Sequence, residues 1–307
     1  MILALPTIVL LIITIITSCL TGITKNIFTK DVSQSTLGTW FYVLFQSIAC
    51  AVLIPILSGG FGAISAYSIL TGILFGAVCC GQVITLLKAL PLGPFSYSMV
   101  ISSLATLIPT LSGPFFGESI SLSQGFGIIL MVLCVVFSTD KKKEDESRKA
   151  NAKWLFWCLV STVLNGMIGV LQKVHQASPH KDELPIFLVS SFVFSILLCG
   201  VMVAVEHKRS PVKEPLPFTK KGVLVPLLGG ATLALPHVIN LHLAGIMPAA
   251  VMFPLVNICP LMLTTLIAAT VFRERLSVRR WIGFAIGVVS TLFVSGTVSF
   301  LLIILHK

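Results

Sequence analysis

The chain is built from apolar runs of helical length separated by short polar segments. The runs cover roughly residues 3–25, 36–57, 67–90, 94–115, 122–138, 153–173, 184–205, 222–245, 248–270 and 281–304. A helix crossing a hydrocarbon core about 30 Å thick needs ~20 such residues. The runs are continuously apolar rather than alternating, which argues against a transmembrane β-barrel. The pattern predicts an all-α integral membrane protein with ten transmembrane helices. The first run is too long for a signal-peptide core and starts without a basic region, so it is read as a retained helix.

Composition sharpens this picture. Of 307 residues, 56% are hydrophobic and 10% charged, a balance that leaves no soluble domain. The net charge of +10 follows membrane topology rather than nucleic-acid binding. Lys141, Lys142, Lys143, Arg148, Lys149 and Lys153 lie between runs five and six, and Lys208, Arg209, Lys213, Lys220 and Lys221 between seven and eight. Arg273, Arg275, Arg279 and Arg280 lie between nine and ten, whereas the loops near 58–66, 115–121 and 245–248 carry no Lys or Arg. The positive-inside rule puts the basic loops in the cytoplasm and both termini outside a plasma membrane. The eight cysteines all fall within the runs, with no CxxC pair and no His at ligand spacing, so they read as packing residues. No metal or cofactor is expected.

The chain repeats itself. ESISLSQGFG at 118–127 aligns with ERLSVRRWIG at 274–283 at an offset of 156, matching Glu118 with Glu274, Ser121 with Ser277 and Gly127 with Gly283. This divides the sequence into five-helix units at 1–138 and 153–307, joined by a charged linker, 139–152, that opens TDKKKEDESRKAN. Five spans per unit force equivalent loops to opposite sides of the membrane, and the charge bias agrees. Two inverted repeats with a binding site at their interface are a recurring transporter plan.

KALPLGPFSYSMVISSLATLIPTLSGPFFGESISLSQGFG and NLHLAGIMPAAVMFPLVNICPLMLTTLIAATVFRERLSVRRWIG resemble the two EamA-type repeats of the drug/metabolite transporter superfamily. The shared features are a Leu/Pro-rich turn, an apolar helix, and a Glu just before a final Gly-containing helix. The resemblance implies a ten-helix carrier that moves small organic solutes by alternating access, with export as the direction. It does not extend to the intramembrane Glu that small multidrug relatives use for proton coupling.

All eleven acidic residues lie in loops or at span ends. With no carboxylate to hold a cation near the midplane, the expected substrate is neutral, zwitterionic or anionic and amino acid-like. Gln82, Asn165, His237, Asn240 and Asn257 are the candidate substrate contacts, and Lys88 or His237 would carry any proton coupling. Gln46, Gln172 and His242 are further polar residues inside spans, each of which an interhelical hydrogen bond would explain. Thr14, Thr17, Ser18, Thr21 and Lys25 form one stripe on the first span, and Asn165, Gly169 and Gln172 another on the sixth. Pro254 and Pro260 frame Asn257 and predict an interrupted helix there.

Gly72 with Gly76 and Gly283 with Gly287 have GxxxG spacing, which suits helix packing, and the latter pair offers a homodimer surface. Glu118 and Glu274 read as helix caps. An enzyme is not expected, since HExxH, GxSxG and paired intramembrane acids are all missing from the sequence. The partners expected are a small-molecule substrate and the lipid bilayer. A membrane scaffold or accessory protein that merely inherited the transporter fold is the alternative.

Overall fold

The computed structural model describes residues 2–33, 35–89, 92, 98, 101–102, 104–138, 152–209, 216–270 and 277–294. The linker stretch 139–151 and Lys213, Arg273, Glu274 and Arg275 lie outside the described residues. The secondary structure is helical, with no strand among the described residues. The helices are α1 (Thr7–Asp31), α2 (Thr36–Ser58), α3 (Ala66–Ala89), α4 (Leu107–Leu111), α5 (Leu122–Ser138), α6 (Ala152–Ala177), α7 (Leu184–Arg209), α8 (Lys220–Ile246), α9 (Ala249–Thr270) and α10 (Val278–Val294).

Among the described residues six of them, α1, α2, α3, α6, α7 and α8, are long and apolar enough to cross a membrane, which makes this a multi-pass helical membrane protein. Further apolar helical stretches, within the described residues, are Leu104–Phe116, Leu122–Phe137, Ala249–Pro260 and Trp281–Val294. The fourth apolar run departs from a single smooth helix. From Leu104 on it is a 3-10 turn, the five-residue α4, and a second 3-10 turn at Gly113–Phe116, with Pro109 and Pro114 setting the irregularity.

Helix ends follow local chemistry. The Ser35 hydroxyl accepts the Gly38 N–H at 3.0 Å and starts α2. Gly59 ends it with φ +82°, a left-handed conformation that costs glycine nothing. At α5, the Ser121 hydroxyl accepts the Gln124 N–H at 3.2 Å and the Gln124 side chain accepts the Ser121 N–H at 2.9 Å, a reciprocal capping box.

The chain forms two compact units, residues 1–80 with 175–245 and residues 81–174 with 246–307. Each unit draws on residues from before and after the 139–151 stretch, and the chain changes unit inside α3 and inside α6.

In the first unit α2 packs along α7. Gly72 and Gly76 bring α3 against α7, where a Cβ at 76 would stand 2.5 Å from the Ser191 carbonyl oxygen. Gly229 and Gly230 bring α8 equally close to α2, and their carbonyls accept Gln46 Nε2 at 3.4 Å and Cys50 Sγ at 3.3 Å. The stripe on α1 is largely absorbed by packing: Thr17 bonds the Ile13 carbonyl, and Thr21 bonds Thr232 Oγ1 at 2.9 Å.

In the second unit α5 and α10 run antiparallel. Ser290 Oγ donates to the Gly127 carbonyl at 2.8 Å, Phe126 meets Phe293, and Gly287 lies against Cys134. Gly287 is thus occupied by packing inside its own unit. Trp154 Nε1 donates to Ser98 Oγ at 2.8 Å, and both residues are buried. Trp154→Phe, which loses the donor and leaves a cavity where the larger indole stood, is expected to cost about 2 kcal/mol in a denaturant-unfolding measurement.

Candidate functional site

The second unit holds a partly open cavity of about 230 Å³ lined by Ser102, Thr106, Met131, Val135, Asn165, Asn257 and Ile258. Each wall has a local origin. Met131 and Val135 are one turn apart on α5, Asn165 comes from α6, Asn257 and Ile258 come from α9, and Ser102 and Thr106 precede α4. Among the described residues the lining mixes two carboxamides and two hydroxyls with three apolar side chains, and it contains no charged group. Asn165 Nδ2 reaches the Ser102 carbonyl at 3.4 Å, a long bond that leaves most of its hydrogen-bonding capacity for a solute.

Asn257 Nδ2 donates to the Phe253 carbonyl one turn back, at 2.7 Å. The helix around it differs from the sequence expectation: α9 stays helical through both Pro254 and Pro260. A proline removes one N–H, so the carbonyls that lose a donor are those of Ala250 and Val256. Asn257 bonds neither, and its remaining amide atoms stay available at the cavity. The two residues are brought together by small neighbours on α6. A Cβ at Gly169 would stand 2.6 Å from Pro109 Cβ and 2.9 Å from Phe253 Cε1, so only glycine lets α6 approach here.

Gln82, also in this unit, pairs with Ser161: its Nε2 lies 3.4 Å from Ser161 Oγ, which donates to the Gln82 carbonyl at 3.3 Å. It does not line the cavity. Lys88 is exposed, with its ammonium 4.5 Å from the Trp157 ring centroid, a cation–π contact suited to a membrane interface.

In the first unit, His237 sits edge-on to Phe192 and Phe75, at 5.2 and 6.1 Å between ring centroids. His237 Nδ1 and Asn240 Oδ1 are buried without a hydrogen-bond partner. Leaving polar atoms so is costly, and a solute or water would relieve the cost. A larger crevice of about 580 Å³ in this unit is lined by loop and helix-end residues from Asp31 to Gly38 and from Leu216 to Lys221, and by none of the sequence candidates.

Two groups of charged residues escaped sequence reasoning. Lys173, buried near the end of α6, forms an ion pair with Glu118 and donates to the Met247 carbonyl at 2.9 Å. The other Glu118 oxygen accepts the Ala249 N–H at 2.6 Å. Glu118 is a cap, as its position suggested, but for the distant α9, since Ser121 and Gln124 already cap α5. The second group is His175, His180 and Glu183 at the junction of α6 and α7, which meets Ser65 and Ser68 at the start of α3. Its signal in the sequence is HQASPHKDE at 175–183, which gathers two His and two acids in a short loop.

No protein-family model matches the chain, and no curated protein matches it. Among solved structures, 29 chains match. One, described only as the crystal structure of a protein, superposes with a TM-score of 0.70 over 94% of this chain and 95% of its own, at 13% identity. That similarity is one of fold alone.

Proposed function

We propose that the protein is a secondary transporter of the EamA type that moves a small polar organic solute, amino acid-like and neutral, zwitterionic or anionic, out across the plasma membrane by alternating access. The observation that carries this reading is the uncharged polar cavity in which Asn165 and Asn257 converge. Its 230 Å³ lies below the ~300–1,000 Å³ usual for drug-sized ligands, which favours a metabolite. Carboxamides and hydroxyls offer donors and acceptors to a zwitterion without the desolvation penalty of a fixed charge.

Ten crossings arranged as two inverted repeats fit the same reading. α5 and α10 begin 156 positions apart, the offset of the sequence repeat. They run antiparallel within one unit, as inverted mates must.

The test is binding and transport by the purified full chain with a panel of radiolabelled L-amino acids. Asn257→Ala is expected to weaken binding at least tenfold, about 1.4 kcal/mol, the worth of one good hydrogen bond. Stability should change by less than about 0.5 kcal/mol, since Asn257 is exposed and bonds only its own helix. Normal transport by a folded Asn257→Ala variant would remove this cavity from the path. Failure of the wild type to bind or move any member of the panel would leave the scaffold reading in its place.

A further inference from the structure

Three of the elements that wall the cavity of the second unit meet again at one end of it. Along α6, Lys173 follows Asn165 by two turns, and along α9, Ala249 precedes Asn257 by two turns. At about 1.5 Å per residue, each stands about 12 Å from the cavity. The fourth apolar run, which gives Ser102 and Thr106 to the lining, reaches the same level at Glu118, since Glu118 bonds both Lys173 and the Ala249 N–H.

Two layers of side chains stack between the cavity and that end. In the nearer one, one turn out from the cavity, Gly169 lies against Pro109 and the Phe253 ring, and all three residues are buried. The outer one is the Lys173–Glu118 ion pair, completed by the Met247 carbonyl and the Ala249 N–H. Thr110 and Ser112, which lie along the fourth run between the two, are buried as well. The partly open cavity is therefore stopped at this end.

A contact that only held the fold together would be served as well by apolar side chains, because burying an ion pair gives up the hydration of both charges. The same loss makes the contact reversible. When this end parts, water takes up the ammonium and the carboxylate again, which brings the open state close in free energy to the closed one. The segment that carries Glu118 is suited to such a movement. Gly117 precedes it with φ +76°, a conformation that glycine enters and leaves freely. Ser121 and Gln124 cap α5 on their own, so Glu118 can withdraw without unravelling that helix.

We propose that the Lys173–Glu118 pair and the Phe253 ring beneath it are a gate, which shuts the solute cavity toward the face whose loops 115–121 and 245–248 carry no Lys or Arg. The solute-loaded form is the one that opens, and the pair parts to release the solute on that face. This deepens the transporter reading and rests on it.

Gly113 and Ala249 allow a staple across the gate. A Cβ at Gly113 would stand 3.6 Å from Ala249 Cβ, within the roughly 3.5–4.5 Å that a disulfide spans. Its nearest neighbour is the flexible end of Glu118, with Oε2 at 2.8 Å. The test measures binding of a mixture of radiolabelled L-amino acids by the purified full chain, and counterflow of the same mixture in proteoliposomes. The wild type should show both. The double variant Gly113→Cys with Ala249→Cys, once oxidised and shown by mass spectrometry to be bridged, should keep binding and lose counterflow at least about tenfold. Dithiothreitol should restore it, and neither single variant should respond to oxidation. Normal counterflow through the bridged protein, loss of binding along with counterflow, or a loss that the reductant does not reverse overturns the gate and leaves the transporter standing. If the double variant does not fold, Ser112→Cys decides: a membrane-impermeant maleimide should modify it at least about tenfold faster with the amino acid mixture than without, above the background of the eight native cysteines. A rate that the mixture leaves unchanged overturns the gate. Absence of both binding and counterflow in the wild type overturns the transporter reading, and the gate with it.

Discussion

Lys173→Met, with Glu118 left in place, is expected to destabilise the protein by about 3 kcal/mol, the lower end of the range for breaking a buried ion pair. The lower end applies because Glu118 keeps 20% of its side chain exposed and still accepts the Ala249 N–H at the positive end of α9. The converse variant, Glu118→Gln, should cost more. It leaves the 7% exposed Lys173 ammonium with the Met247 carbonyl as its remaining partner among the described residues, and it weakens the cap on α9. In the double variant Glu118→Gln with Lys173→Met no unpaired charge stays buried, so part of the stability should return. Denaturant unfolding of the four proteins closes a double-mutant cycle. A coupling energy near zero would mean that the pair is not a structural lock.

Gly76→Val is expected to cost about 3 kcal/mol or more, or to prevent assembly. Its Cβ would stand 2.5 Å from the Ser191 carbonyl oxygen, 3.1 Å from Cα and 3.2 Å from the carbonyl carbon. These are backbone atoms, so no rotamer change relieves the clash and α3 and α7 must separate. One turn earlier, a Cβ at Gly72 would meet the Phe187 carbonyl oxygen at 2.3 Å, so the same contact would fail there. Gly22→Ala is the control: nothing lies within 4 Å of its added Cβ, and α1 should gain up to about 1 kcal/mol from helix propensity. Size-exclusion profiles and unfolding midpoints in detergent separate the outcomes. A Gly76→Val protein as stable as the wild type would show that the close approach is dispensable.

Much of the local architecture is legible along the chain. The run at 122–138 becomes α5 (Leu122–Ser138) and the run at 36–57 becomes α2 (Thr36–Ser58), because apolar length and a serine cap act over neighbouring residues. The GxxxG spacing at Gly72 and Gly76 likewise announces a close helix contact, although not its partner. Asn257 stood out by its prolines, and it lines the cavity of the second unit. The prediction of a break there was not met, because a helix tolerates the loss of single N–H donors when the turns on either side remain bonded.

Other residues carry no signature until packed. Lys173 reads as one more basic residue at a span end, and only the arrival of Glu118 from 55 positions away and Met247 from 74 makes it a lock. Gln82 and Asn165 are equally amide-bearing positions in apolar runs, yet one is taken up by Ser161 and the other faces a cavity. His175 and His237 are likewise both imidazoles on long apolar helices, but His175 meets the Ser68 hydroxyl whereas His237 is faced by the rings of Phe75 and Phe192.

Hydrophobic length, turn chemistry and charge bias act over a few residues, so chain order is enough to decide that this is a multi-pass helical membrane protein. Which side chains meet depends on helix rotation and crossing, set by contacts between residues from about fifty to more than a hundred positions apart. The convergence of Asn165 with Asn257, the Glu118–Lys173 lock and the contact of His175 with Ser68 therefore emerge only once the helices are packed.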